Sequence, residues 1–266
     1  MVSDEQIRRF QKKVLSWYKK NRRDLPWRNT TDPYHILLSE VMLQQTQVDR
    51  VIPYYEKFLL AYPTLLDLAA AGRKEILALW SGLGYNSRVV RLHKLCKELA
   101  AHHQGTFPHS EEELRKLPGI GPYTANAILA FAFNREVAVV DTNVRRVIMA
   151  ELNLPHVFTM KEIAHIAKRC VRKGKAMIWY NALRDYGATH LTAKKTGIRP
   201  ISRQSPFEGS ERQARGKILR LLIREDAVPY EKLAEEVKHK NIKGIIQKME
   251  KEALIEKDKN EIRIAH

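Results

Sequence analysis

The chain is poor in cysteine, with only Cys96 and Cys170 among its 266 residues. Two distant thiols exclude a disulfide framework and a metal cluster, and they suit a reducing compartment. Long hydrophobic runs are also missing, since none reaches the roughly 18–20 residues that cross a bilayer. The first 25 residues are charged and lack the apolar core of a secretory leader. We therefore expect a cytoplasmic protein with no membrane partner.

Acidic residues are scarce relative to basic ones. Asp and Glu number 30 against 47 Lys and Arg, so the formal net charge is +17. Residues 1–207 carry +15 of it, and residues 208–266 only +2. A basic body indicates a polyanionic partner, most simply nucleic acid, which would place the protein at the nucleoid. The alternative is a soluble protein that is merely basic.

Periodicity divides the chain into three parts. Most of residues 5–190 repeat apolar residues at the helical period, with short Gly/Pro connectors. Residues 194–210 are basic and rich in Pro, Gly and Ser, as linkers are. Three amphipathic helix patterns and an alternating hairpin pattern follow, over residues 212–224, 230–238, 242–252 and 253–265. We predict an all-α domain over 1–193, a basic linker over 194–210 and a winged-helix-like α+β domain over 211–266.

A glycine-rich hairpin, LPGIGPYT, runs from Leu117 to Thr124 between two helix patterns. Gly119 and Gly121 permit positive φ and close backbone approach. The second helix begins with unpaired N–H groups and a positive dipole end, which suits a phosphate oxygen. The hairpin is thus a candidate grip on a DNA backbone, and the alternative is an ordinary tight turn.

Two carboxylates are candidates for chemistry. Glu40 lies among apolar residues in the helix pattern of residues 32–48, for which Asp32 is the candidate N-cap. Apolar surroundings disfavour the charged form of a carboxylate, so Glu40 is a candidate proton donor unless it faces solvent. Asp141 follows an apolar run and precedes another helix pattern, where it also suits a plain N-cap.

A proton-donating acid paired with an ionised carboxylate suits cleavage of an N-glycosidic bond. The acid protonates the leaving base, and the carboxylate stabilises the positive charge that develops on the sugar. An enzyme acting on DNA in this way must flip the nucleotide out of the base stack.

Four segments carry a family resemblance in order and spacing. They are LPWRNTTDPYHILLSEVMLQQTQVDRVIPYYEKF, LWSGLGYNSRVVRLHK, LPGIGPYTANAILAFAF and VVDTNVRRV. Together they resemble the MutY-type adenine DNA glycosylases of the helix-hairpin-helix superfamily, over roughly residues 5–190. The resemblance implies an all-α enzyme of two helical lobes with DNA bound in the cleft between them.

The resemblance also implies roles for three residues. Glu40 matches the catalytic acid that protonates adenine at N7. Asp141 matches the aspartate that stabilises the oxocarbenium ion or a transient covalent sugar intermediate, and Tyr123 matches a tyrosine that supports it. Bifunctional relatives have a lysine in place of Tyr123, which forms a Schiff base and nicks the strand. Tyrosine cannot, so a monofunctional enzyme is implied.

Further positions match DNA contacts of the family. Those that match the pocket for the extruded base are Trp27, Arg28, Leu43, Asn181 and Asp185. Gln45 and Tyr85 match wedge side chains that enter the duplex beside the orphaned partner base. The remaining DNA-contact candidates are Leu117, Gly119, Gly121, Thr124, Lys194 and Lys195.

The sequence departs from the family after residue 189. The family usually carries a four-cysteine iron–sulfur cluster there, and residues 189–210 contain no cysteine, so we expect no cluster and no metal. Lys194, Lys195, Arg199 and Arg203 would keep the DNA-binding role of that loop. The resemblance implies a C-terminal Nudix-like domain that reads 8-oxoguanine, whereas the pattern of residues 211–266 leads us to expect a winged helix in its place. Whether a monovalent cation binds the hairpin carbonyls, as in several relatives, stays open.

The identity of the excised base is the most detailed prediction. Asn181 stands where adenine-specific relatives have glutamine, and Thr142 where they commonly have glycine. The leading function is a base excision repair glycosylase that removes adenine opposite 8-oxoguanine or guanine, acting as a monomer on duplex DNA with a mismatched or damaged base. The alternatives are a thymine or uracil mismatch glycosylase and a structural DNA-binding protein without chemistry.

Overall fold

The structure is a computed structural model that describes residues 2–200 and 205–265. Its helices are α1 (Asp4–Asn21), α2 (Pro33–Leu43), α3 (Val48–Ala61), α4 (Leu65–Ala70), α5 (Arg73–Trp80), α6 (Ser87–His103), α7 (Glu111–Leu114), α8 (Pro122–Phe131), α9 (Thr142–Glu151), α10 (Met160–Arg169), α11 (Ala176–Asp185), α12 (Ala193–Thr196), α13 (Glu211–Arg224), α14 (Tyr230–Val237) and α15 (Ile242–Lys251). A 3₁₀ turn spans Pro26–Arg28 and a π-helical turn Tyr186–His190. The strands are β1 (Val228–Pro229), β2 (Ile255–Asp258) and β3 (Glu261–Ile264).

Contacts group these elements into two compact units. Unit 1 comprises Met1–Leu37, Pro108–Lys116 and Ile120–Arg203. Unit 2 comprises Leu38–Phe107, Leu117–Gly119 and Gln204–His266.

The core of unit 1 is built around α11, which contacts α1, α8 and α9. Trp179 and Tyr180 of α11 are fully buried, and the Trp179 ring meets the Phe10 ring edge-on at 5.2 Å between centroids. Such apolar faces stabilise the unit by burial and close packing. The arrangement places the last turn of α11 beside the starts of α8 and α9, where Tyr123 and Asp141 lie.

The core of unit 2 lies among α3 to α6. Phe58 and Trp80 are fully buried with ring centroids 5.7 Å apart, and α6 contacts both α4 and α5. Helix α13 also contacts α5, so the C-terminal helices belong to this unit. Because α13 packs there, the segment after residue 204 shares a core with residues 38–107.

A three-stranded antiparallel sheet in the order β1–β3–β2 closes the C-terminal segment. Ile255 pairs with Ile264 and Val228 with Ile262, so buried residues of neighbouring strands oppose each other. The predicted three helices and terminal hairpin are confirmed. The two-residue strand β1 was not predicted, because it is too short to show alternation.

The predicted fold class, a helical body with a small winged-helix-like α+β part, is confirmed by this architecture. The sequence-based domain boundaries stay predictions. Across residues 2–200 and 205–265 no helix combines the length and apolarity needed to cross a bilayer.

Candidate active site and DNA-contacting loops

Asp141 is the N-cap of α9. Its Oδ1 accepts the Val144 backbone N–H at 2.7 Å, which confirms the cap predicted from sequence. Its Oδ2 lies 3.4 Å from Nε of Arg184, and a quarter of the side chain is exposed. The start of the helix and the guanidinium both place positive charge beside this carboxylate. The cap and the contact with Arg184 therefore use different oxygens of one side chain.

Tyr123 lies in the first turn of α8, directly after Gly121 as N-cap and Pro122 at the first helical position. Its ring is half-buried against the unit 1 core. Its hydroxyl accepts a hydrogen bond from Nη2 of Arg184 at 2.5 Å. The hydroxyl is thereby fixed on the same guanidinium that faces Asp141.

Arg184, which the sequence analysis did not single out, connects these two residues. It is 9% exposed, and its guanidinium lies 4.4 Å from the centroid of the Phe131 ring. A planar cation held between a ring, a hydroxyl and a carboxylate has little freedom. Arg184 could have been found from the sequence, since it is an arginine inside the mostly apolar pattern of α11. An arginine is seldom buried without a partner, so its position predicts a contact with an acidic or polar group.

Two of the predicted base-pocket residues form an ion pair. Asp185 is completely buried, and its carboxylate accepts from Nη2 of Arg28 at 2.9 Å and from Nε of Arg23 at 2.7 Å. Trp27 and Asn181 are also buried in unit 1, with 7% and 6% exposure. Because a buried carboxylate needs such partners, the pair fixes the Pro26–Arg28 turn to α11. The assignment of these residues to a base pocket stays a prediction.

Glu40 lies on the part of α2 that belongs to unit 2 and is 5% exposed. Leu38 and Met42 beside it are fully buried, so the solvent-facing alternative is wrong. The helix starts at the predicted cap, because the Asp32 carboxylate accepts the Tyr34 N–H at 2.8 Å.

Helix α2 ends at Leu43, which is half-buried, although the sequence pattern predicts a helix through residue 48. The carbonyls of Val41, Met42 and Gln44 accept hydrogen bonds from Nη1 of Arg88 at 2.8, 2.9 and 2.6 Å. These carbonyls are therefore satisfied without a further helical turn. Gln45 then takes a left-handed φ of 59°, which sends the chain out to solvent.

The same arginine holds the loop that carries Tyr85. Nη2 of Arg88 donates to the Gly84 carbonyl at 3.0 Å and its Nε to the Tyr85 carbonyl at 3.3 Å. Tyr85 also has a left-handed φ, of 50°. Burial lowers the pKa of Arg88 to about 10, which leaves it charged at neutral pH. One buried cation thus brings together the loops of the two predicted wedge residues, Gln45 and Tyr85.

The two hairpin glycines differ in backbone conformation. Gly119 has a φ of 79°, and a Cβ there would lie 3.0 Å from Cβ of Arg91, so this position requires glycine. Gly121 is extended, with φ −91° and ψ 174°, so its predicted use of positive φ is wrong. The side chains of Leu117 and Thr124 are buried, which confines any DNA contact there to the backbone.

The basic residues of the predicted linker lie on and after α12. Lys194, Lys195 and Arg199 are exposed, and the backbone carbonyl of Arg199 accepts from Nη1 of Arg145 at 3.4 Å. Arg203 lies outside the described residues.

Residues 38–176 match the HhH-GPD superfamily of base excision DNA repair proteins. The chain belongs to this superfamily. It is 37% identical over 230 residues to an adenine DNA glycosylase of Mycolicibacterium smegmatis. The aligned region covers 79% of this chain and 78% of that protein. The predicted MutY-type DNA glycosylase of base excision repair is thereby confirmed.

Solved structures agree with the fold of this MutY-type chain. A thermostable thymine-DNA glycosylase has a TM-score of 0.66 and 29% identity, covering 74% of this chain and 95% of that one. A trapped covalent endonuclease III–DNA intermediate has a TM-score of 0.64 at 24% identity, covering 77% and 94%. The second likeness supports the fold alone.

The residues present do not fit the iron–sulfur cluster that the family usually carries. Such clusters are held by cysteine thiolates, ordinarily four. The chain has Cys96 and Cys170 only, both fully buried. Burial raises the pKa of each thiol to about 12, which keeps both protonated. No group of three or more metal-ligating side chains occurs within the described ranges.

Proposed function

We propose that this glycosylase removes adenine mispaired with 8-oxoguanine or guanine and leaves an abasic site. The observation that carries the proposal lies in unit 1, where Arg184 contacts both the Asp141 carboxylate and the Tyr123 hydroxyl. The candidate acid, Glu40 of unit 2, is buried. The 37% identity to an adenine DNA glycosylase supports adenine as the base.

In this proposal Glu40 transfers a proton to N7 of the extruded adenine. The bond from N9 to C1′ then breaks, and its electron pair leaves with the base. The sugar becomes an oxocarbenium ion, and water adds to C1′ while its proton is returned to the protein. General acid catalysis of this kind typically contributes ~10²–10⁴ in rate.

Asp141 supplies the negative charge that faces the developing sugar cation. One of its oxygens is held by the Val144 N–H, so the carboxylate is oriented before the substrate binds. Preorganised charge of this type needs no rearrangement when the cation forms. The carboxylate therefore stabilises the transition state more than the ground state, which is the condition for a faster step.

Tyr123 makes the reaction monofunctional. Strand nicking by relatives runs through an imine, and an imine requires an amine next to C1′. A phenol held by Arg184 offers none. The product is an intact strand with an abasic site.

Removal of thymine or uracil opposite guanine is the second candidate. The likeness to a thermostable thymine-DNA glycosylase, at 29% identity, favours it. So does the buried Asn181, which is one methylene shorter than the glutamine of adenine-specific relatives. Both reactions would use the same carboxylates, so only the base decides between them.

Labelled duplexes test the base directly. The wild-type protein is incubated with A·8-oxoG, A·G, T·G and U·G duplexes, and alkali then cuts the strand at each abasic site. We expect cleavage at adenine in the first two and little at thymine or uracil. Dominant cleavage at thymine or uracil would replace the first candidate with the second.

A further inference from the structure

A basic cleft lies within unit 2 between the Tyr85 loop and helix α13. Its volume is about 580 Å³, and the loop of Gln45 forms part of its wall. Arg50, Arg212 and Arg220 all line it, and none of the described lining residues is acidic. The cleft is therefore built by the C-terminal segment together with both predicted wedge loops.

Arg212 of α13 is bonded directly to the wedge residue Tyr85. Its Nη1 donates to the Tyr85 hydroxyl at 2.5 Å, and its guanidinium lies 5.2 Å from the centroid of the same ring. Its Nη2 donates to the Ser205 carbonyl at 3.2 Å, and the Phe207 ring lies 5.5 Å away. The C-terminal segment thereby fixes the direction of the Tyr85 ring.

Part of the basic charge of the C-terminal segment is neutralised within the segment. Four basic side chains that do not line the cleft are paired with acids: Arg215 with Glu252, Lys248 with Glu211, Lys232 with Glu225 and Arg263 with Glu256. At the cleft, Arg220 has no ion-pair partner within the described residues. The cleft is therefore lined by positive charge although the net charge of residues 208–266 is only +2.

We propose that this cleft binds the DNA strand that keeps the unpaired partner base, and that Arg212 is the residue that positions Tyr85 for it. The inference rests on the proposed function, because it assigns the cleft to the partner strand. An aromatic ring offers a stacking surface to an unstacked base, and guanidinium groups at a groove bind backbone phosphates. Arg220 and Arg50 are the phosphate contacts.

The contact between Arg212 and Tyr85 is tested by measuring DNA binding rather than turnover. A duplex carrying a tetrahydrofuran abasic analogue opposite guanine, and the same duplex undamaged, are titrated by fluorescence anisotropy. We expect Arg212→Gln to weaken binding to the abasic duplex roughly 10-fold, as for loss of a charge-assisted hydrogen bond. The loss on the undamaged duplex should be smaller. Arg215→Gln is the matched control on the same helix and should bind like the wild type.

A double-mutant cycle isolates the contact between the two residues. Tyr85→Phe removes the acceptor hydroxyl and keeps the ring, so Tyr85→Phe with Arg212→Gln should be no weaker than Arg212→Gln alone. Arg220→Gln should reduce the log–log salt slope by about 0.9 if it contacts one phosphate. Thermal unfolding of each variant checks that the fold is intact.

Three outcomes would overturn the inference: Arg212→Gln binding like Arg215→Gln, additive losses in the cycle, or an unchanged salt slope for Arg220→Gln. These readouts do not depend on catalysis. A wild type that releases no adenine from any duplex would reject the proposed function, and the binding data would still decide the role of the cleft.

Discussion

Arg184 donates a hydrogen bond to the Tyr123 hydroxyl at 2.5 Å. The same guanidinium lies 3.4 Å from Asp141, so a hydroxyl on α8 and a carboxylate at the start of α9 are fixed by one side chain of α11. The position of the carboxylate therefore depends on an arginine that need not touch the substrate.

Replacing Arg184 by Gln should lower the single-turnover rate of base release roughly 10- to 100-fold, the range expected for lost charge-assisted hydrogen bonds. Duplex affinity should change little, because the residue is buried. Arg135→Gln removes an exposed positive charge from the same unit and serves as the control. An unchanged rate for Arg184→Gln would mean that the guanidinium does not hold the carboxylate in its productive position.

Borohydride should trap almost no enzyme–DNA adduct with the wild type, and Tyr123→Lys should trap more. The nearby Arg184 charge favours the neutral amine of a lysine at this position, while Asp141 favours the ammonium, so the gain is partial. Tyr123→Phe, which has no amine either, is the control. Strong trapping by the wild type would contradict the monofunctional assignment.

The purified protein should be colourless and free of stoichiometric iron. Native protein should react slowly with a thiol reagent, because Cys96 and Cys170 are buried and their pKa values are raised to about 12. Two thiols should become reactive after denaturation. A brown preparation with about four irons per chain would contradict this account.

Acid should destabilise the fold through His93. Burial, with the nearby Lys97 charge, lowers its pKa from 6.5 to about 4. The unfolded chain binds this proton between those values and the folded chain does not, so the free energy of unfolding falls as pH drops through that window. The slope approaches about 1.4 kcal/mol per pH unit.

Urea unfolding between pH 7 and pH 4 measures this effect. His93→Leu should reduce the pH dependence, whereas His103→Leu, at an exposed position of the same helix, should leave it unchanged. Equal pH dependence in both variants and the wild type would exclude His93 as the source.

Local pattern was enough to predict the helices, the caps and the terminal hairpin, because each depends on residues close in sequence. Asp32 and Asp141 both cap the predicted helices. The end of α2 was not predictable in this way, because it depends on Arg88, which is more than 40 residues away in sequence from the carbonyls that it binds.

The candidate site shows the same limit. The carboxylates Glu40 and Asp141 were candidates from their local patterns, and the family resemblance implied their roles and that of Tyr123. The cations that contact Tyr123, Asp141 and Tyr85 come from distant helices, and no spacing rule connects Arg184 to Tyr123 or Arg212 to Tyr85. Such contacts arise from tertiary packing, which sequence periodicity does not specify.

The most direct test of the central claim is the single-turnover rate of adenine release from an A·8-oxoG duplex by the wild type and by Glu40→Gln. Glutamine preserves the shape of the side chain and removes the proton that the leaving base needs. We predict release by the wild type, a rate at least ~10²-fold lower for Glu40→Gln, and equal duplex affinity for both. Near-normal release by Glu40→Gln, or no adenine release by the wild type, would contradict the account.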